Sequence, residues 1–341
     1  MTGRIAMLDG WRALSILAVL AGHLLPLGPG RWQMNGMVAS SGMAIFFTLS
    51  GFLITQLLLR DDRVVPFLIR RLFRILPLVW AAMVLLALAV PANRELLFAN
   101  LAFYANLPPS SLMEGGHHLW SLCVEVQFYL AVALLVAVAG RRGLYVLPVL
   151  ALVVTGLRIH AGQPISIVTW HRVDEILAGA TLALVVDRIG SEGTGWRPPT
   201  WLPLLLGVLL AASAHPALPL WNYARPYLAA AMVGVSLYAA PEWMRRIWTG
   251  AVARYIAEIS YALYVAHGAL AATWLGGLDA STFERYSRRP LLFALTFGLA
   301  HISTYYYEQR FTALGKRLAR YVSDGARRTA TAPKMDGSTL T

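Results

Sequence analysis

The chain is short of charge. Asp, Glu, Lys and Arg make up 13% of its 341 residues, where a soluble domain carries roughly a quarter. Hydrophobic residues make up 57%, and the surplus runs along the whole length. That excludes a soluble domain with a single anchor and implies a polytopic membrane protein. Cysteine is almost missing. The one residue, Cys123, excludes an intramolecular disulfide. It lies in an apolar run without an activating base, so it reads as a small hydrophobe. No small-residue cleavage site follows the first apolar run, which is therefore expected to stay as the first helix. There is no internal repeat of the kind many transporters show. No polar stretch of domain size is present either, so any chemistry is expected inside the membrane part.

What is present is a series of apolar runs. A bilayer core of about 30 Å needs roughly 20 apolar residues per helix. Ten spans are expected, near 12–28, 37–59, 74–91, 118–139, 144–160, 173–187, 201–215, 224–240, 253–275 and 290–308. The fold class is thus all-α, a polytopic integral membrane protein of about ten transmembrane helices. The stretch 95–107 is amphipathic and too short to span. Acidic residues are few, 17 against 29 basic, for a net charge of +12. An excess of this size suggests nucleic acid until its distribution is read. The basic residues gather in alternate loops, as at Arg70, Arg71 and Arg74, at Arg141 and Arg142, at Arg245 and Arg246, and from Arg310 to Arg328. This is the positive-inside asymmetry of a multi-pass protein with both termini cytoplasmic, and it needs no nucleic acid. The segment FERYSRR at 283–289 dissents, being placed outside. Residues 1–321 are expected to form the transmembrane domain and 322–341 a disordered cytoplasmic tail.

Several polar residues stand where a bilayer makes them costly. Arg12 and His23 are eleven residues apart, about three helical turns, so they share one face with a rise of roughly 16 Å. An ionisable side chain inside a span is by default a functional candidate, and His23 is one. In FLIRRLFRILP, Arg71 and Arg74 lie at i and i+3 on one face. They form either an anchor for lipid headgroups or a fork for an anionic cofactor. Ser50 and Gly51 read as small residues that let helices approach closely. Glu125 is an isolated carboxylate within the fourth span and needs a partner, expected at the depth of His23. Arg172, Asp174 and Glu175 stand at the mouth of the sixth span, as interfacial charges or substrate contacts. His267 lies inside the ninth span. No metal-ligand spacing is present.

Taken together, LDGWRALSILAVLAGH, FFTLSGFLI, RRLFR, LWSLCVEVQFYL, RVDEILAG, ISYALYVAH and YYEQRF resemble the membrane acyltransferase 3 family in order and spacing. Its members O-acylate sugars and related hydroxyl compounds. The resemblance spans Leu8 to about Arg317. It implies a ten-helix bacterial plasma-membrane domain that takes acyl-CoA, by default acetyl-CoA, from the cytoplasm and passes the acyl group to a carbohydrate or glycosylated acceptor. The family's arginine-to-histidine motif falls on Arg12 and His23, its arginine pair on Arg71 and Arg74, and its carboxylate on Glu125. Cys123 and Val126 depart from the family's serine and second glutamate. The family's late tryptophan-histidine pair reads Ala266-His267. On this resemblance Arg12, Arg71 and Arg74 bind the CoA phosphates and His23 is the general base. Glu125 orients its imidazole, while Arg172, Asp174 and His267 line the acceptor side. A covalent acyl-histidine stays open beside direct transfer. The competing reading is a transporter or flippase in which His23, Glu125 and His267 relay protons.

Overall fold

The structure, a computed structural model, describes residues 5–192, 198–277 and 281–331. Among the described residues there is no strand. The helices are α1 (Ala6–Leu24), α2 (Met34–Arg60), α3 (Val64–Ala89), α4 (Leu97–Leu101), α5 (Trp120–Ala139), α6 (Leu147–His160), α7 (Asp174–Glu192), α8 (Leu202–Ala214), α9 (Arg225–Ala239), α10 (Glu242–Trp248), α11 (Ala251–Ala271), α12 (Thr282–Ser287), α13 (Arg289–Ile302) and α14 (Gln309–Thr331).

Every expected span overlaps a helix. Among the described residues three stretches, Met34–Arg60, Val64–Ala89 and His117–His160, are long and apolar enough by length and composition to cross a membrane. With 14 and 13 residues, α6 and α8 rise only about 20 Å, short of a hydrocarbon core of about 30 Å. The segment 95–107 holds the short α4 and turns. The boundary expected at 321/322 falls inside a helix, because α14 continues to Thr331. Its Gly315 seats Phe73 of α3, which a β-carbon would meet at 2.5 Å. Residues 332–341 of the expected tail lie outside the described residues.

At the centre α1 packs on α2, α2 on α7 and α1 on α11. The α2–α7 crossing is a backbone contact. A β-carbon on Gly51 would lie 1.8 Å from the Ile176 carbonyl oxygen, and one on Gly179 would lie 2.0 Å from that of Thr48. Glycine at both positions is what permits the approach. On the other flank α13 packs on α11 and α14 on α3. A π-helical turn, Ser303–Glu308, joins α13 to α14.

Around the start of α7 the chain buries a network of charge. Arg158 of α6 pairs with Asp174, and Arg225 of α9 donates from Nε to Glu175 at 2.7 Å. Arg172 reaches Glu175 at 3.3 Å, and its guanidinium lies 5.3 Å from the centroid of the Trp120 ring and 5.8 Å from that of Phe47. Three guanidinium groups thus face two carboxylates. The surplus positive charge lies over aromatic faces, which attract a cation. Breaking a buried pair by removing one partner strands the other charge. Arg225→Met is therefore expected to cost about 3–5 kcal/mol, read as a lowered midpoint of thermal unfolding in detergent. An unchanged midpoint would show that the network contributes nothing to stability.

Candidate active site

A cavity of about 610 Å³ lies where α1 begins and α2 ends. Arg12, Arg60, Arg71 and Arg74 line it, with the carboxylates of Asp9 and Glu258. The i, i+3 spacing puts both α3 arginines on one face of that helix, and α1 brings Arg12 to meet them. The three arginines singled out in the sequence are thus gathered at one mouth.

The structure does not take Glu125 to His23. Its Oε1 accepts hydrogen bonds from Ser50 of α2 and from Tyr129, one turn further along α5. Its charge faces Arg12 and Arg71. Residue counting along α5 gives Glu125 a depth, but the rotation of the helix decides its neighbour, and that rotation points it at the arginines. Ser50, read from sequence as a packing residue, holds this carboxylate. Cys123 is buried and free.

At the other end of α1, His23 meets His267 of α11. Nδ1 of His23 lies 3.0 Å from Nε2 of His267, and the rings stack with centroids 5.3 Å apart. Nδ1 of His267 lies 2.7 Å from the Tyr264 carbonyl oxygen. A carbonyl only accepts, so this Nδ1 carries a proton. In a neutral ring Nε2 of His267 is then a bare acceptor, and Nδ1–H of His23 donates to it. The bonds leave the lone pair of His23 on Nε2. His267 is 1% exposed, whereas His23 is exposed. The chain of bonds therefore runs from the Tyr264 carbonyl to a bare nitrogen on an exposed residue, with the far partner setting the tautomer as in a hydrolytic triad.

A third ring braces this pair. His118, just before α5, packs on His267 with centroids 4.5 Å apart, and its Nε2 donates to the Val265 carbonyl oxygen at 3.3 Å. It fits because Gly268 has no side chain. A β-carbon there would come within 2.1 Å of its Nδ1. Sequence reasoning assigns His118 no role, since the pair His117-His118 reads as the edge of a span. Its readable signal is the glycine beside His267. Among the described residues no group of His, Cys, Asp and Glu is arranged to hold a metal ion.

Arg172 and Asp174, expected on the acceptor side, are committed elsewhere. Asp174 binds Arg158 and accepts from Thr155 at 3.1 Å. Arg172 lies 3.3 Å from Glu175 and over Trp120. Both are buried because α6 and α9 bring Arg158 and Arg225 against the start of α7, partners that the local sequence around Asp174 does not reveal.

The family model described as an acyltransferase domain, that of the acyltransferase 3 family, matches residues 5–308. Among curated proteins, the chain is 31% identical over 153 residues to a peptidoglycan O-acetyltransferase of Listeria monocytogenes, covering 37% of this chain and 23% of that protein. It is 29% identical over 219 residues to a putative peptidoglycan O-acetyltransferase of Bacillus subtilis, covering 52% and 33%. To a putative O-acetyltransferase of Staphylococcus aureus it is 34% identical over 149 residues, covering 36% and 23%. The chain thus matches a quarter to a third of the length of these relatives. No solved structure matches it.

The bond pattern fixes a spectroscopic expectation. In ¹⁵N-histidine-labelled protein in nanodiscs, His23 should show a protonated Nδ1 and a bare Nε2. His267→Phe should let the two tautomers mix. A His23 signal indifferent to that substitution would show that His267 does not set the tautomer.

Proposed function

The chain belongs to the acyltransferase 3 family, and on that premise we propose that it is an integral membrane O-acyltransferase working from acyl-CoA, most simply acetyl-CoA. The acceptor is a hydroxyl of a cell-envelope carbohydrate. What supports the donor is chemical fit. Phosphate groups pair with guanidinium groups in bidentate geometry, and the cavity of about 610 Å³ offers four arginines against two carboxylates. Its size lies within the usual range for small-molecule sites. Glu125, with Ser50 and Tyr129, acts as a positioning group for Arg12 and Arg71. This role replaces the one the sequence suggested for it beside His23. The acceptor class draws support from the named activity of the peptidoglycan O-acetyltransferases that the chain resembles. Positive loops on one side support a plasma-membrane protein whose arginine mouth faces the cytoplasm.

The observation that carries the reading is His23: exposed, with its basic nitrogen left free by His267, and standing on the helix that also carries Arg12. As the acceptor oxygen attacks the thioester carbonyl, Nε2 of His23 takes the hydroxyl proton. The C–O bond forms and the C–S bond breaks. The proton then passes from His23 to the leaving sulfur, and CoA departs as the thiol. A positive charge on His23 during this step is stabilised by the lone pair of His267. The same Nε2 would serve as nucleophile if an acyl-histidine formed first. Arg172 and Asp174 contribute by fixing the start of α7 against Trp120, which follows His118 closely in the chain.

His23→Ala is expected to abolish acceptor-dependent release of free thiol from acetyl-CoA, with acetyl-CoA binding retained. An active His23→Ala protein would remove the base from this assignment. Arg71→Ala with Arg74→Ala should raise the apparent KM for acetyl-CoA by about tenfold or more, since each bond to a charged group contributes about 1.5–3 kcal/mol. If KM holds and only the yield of protein falls, the two arginines are topological anchors. Thiol release is also the measurement that separates transfer from proton-coupled transport.

A further inference from the structure

Two smaller cavities continue the arginine mouth toward the histidines. The first, of about 60 Å³, is lined by Arg12, Phe46, Ser50, Glu125 and Ser260 among others. The second, of about 10 Å³, is lined by Arg12, Ile16, Val19, Met43, Phe46 and Tyr264 among others. The residues run along shared helix faces. On α1, Arg12, Ile16 and Val19 are followed at the same spacing by His23. On α11, Ser260 and Tyr264 are followed by His267. The three cavities share Arg12 and shrink from about 610 Å³ to about 60 and then about 10 Å³, room for about one water molecule, and the last is lined on α1 by Val19, one helical turn before His23.

Two stacked rings form the narrow point. Phe46 and Tyr264 lie nearly parallel, with centroids 5.9 Å apart and an interplanar angle of 10°. Tyr264 is fixed at its polar end. Its hydroxyl donates to the His118 carbonyl and accepts from Ser121 Oγ at 2.6 Å. Phe46 is held by apolar packing, against Tyr264, Phe47 and the hydrophobic core around them. It is the side of the constriction that a substitution can open without breaking a hydrogen bond.

We infer that Phe46, with Val19 of α1 lining the same constriction, sets the length of acyl group this protein transfers. The inference rests on the acyl-CoA reading of the arginine cavity. The nucleotide and its phosphates stay in the wide mouth. The pantetheine arm follows the taper and brings the thioester to its narrow end, and the water-sized space beside Phe46 takes the methyl of an acetyl group while it rejects a longer chain. Each methylene that such a wall excludes is worth about tenfold or more in relative kcat/KM.

The test compares acetyl-, propionyl-, butyryl- and hexanoyl-CoA as donors for wild type, Phe46→Ala and Val19→Ala. Each protein is purified in nanodiscs and assayed for thiol release with a cell-envelope glycan extract as the acceptor probe. Wild type should fall steeply in kcat/KM beyond acetyl. Phe46→Ala should raise the ratio of butyryl to acetyl by about tenfold or more, and Val19→Ala should raise that of propionyl to acetyl. Val19→Ala removes less volume and keeps the test open if Phe46→Ala fails to fold. Unchanged ratios, with acetyl transfer still measurable, would overturn the inference and leave the acyl-CoA reading standing. Wild-type protein that releases no thiol from any donor would overturn both.

Discussion

Positive charge taken out of water must be answered by something in the chain or by something the chain binds. The two arginine clusters of this protein solve that problem in opposite ways. Arg158, Arg172 and Arg225 are closed off. Asp174 and Glu175 answer two charges, and the rings of Trp120 and Phe47 lie under the third. Such a cluster is sealed off and acts as a brace between α6, α7 and α9, although some of its buried polar atoms, Arg172 Nη1 and Asp174 Oδ1 among them, have no hydrogen-bond partner. Arg12, Arg71 and Arg74 face a cavity instead. Glu125 faces two of them, Arg12 and Arg71, and its Oε1 is held by Ser50 and Tyr129. These cations border open space, with Asp9, Glu125 and Glu308 as the carboxylates that act on them.

The histidine end is built differently, from neutral hydrogen-bonding groups. Among the described residues neither His23 nor His267 is paired with a carboxylate. A backbone carbonyl at the buried end is enough to order both protons, because it can only accept. His118 packs on His267 at a tilt of 58° and limits how far its ring can turn. The small residues are part of this arrangement. Gly268 makes the seat for His118, and the glycine contact between α2 and α7 brings Phe46 and Ser50 into register with α1 and α11.

The positions of the helices are legible in the sequence, since a long apolar run is stable only when a bilayer or a packed core removes it from water. The shared face of Arg12 with His23 is legible too, because both lie on one helix and the helical repeat is fixed. What sequence does not reveal is the pairing of residues between helices. Depth alone assigns Glu125 to His23, whereas the rotation of α5 gives it to Ser50, Tyr129 and the arginines. Arg158 and Arg225 do not stand out as the partners of Asp174 and Glu175, being distant in sequence and ordinary in context. The helix past Ser323 is hidden for a related reason. Its residues are polar and small, and α14 is anchored by a surface of α3 that no local pattern announces.

The π-helical turn at Ser303–Glu308 lets one continuous rod fit two neighbours. α13 is phased to lie on α11, and α14 is phased to lie on α3. A regular α-helix through both would present one unbroken stripe and satisfy only one of them. The wider turn resets the phase by about 100°, the angle of one residue. It does so beside Thr304 and Gln309, which line the arginine cavity. The width of that cavity is therefore coupled to the winding of a helix. Removing one residue from the turn would swing Gly315 off Phe73 and reshape the mouth without touching an arginine.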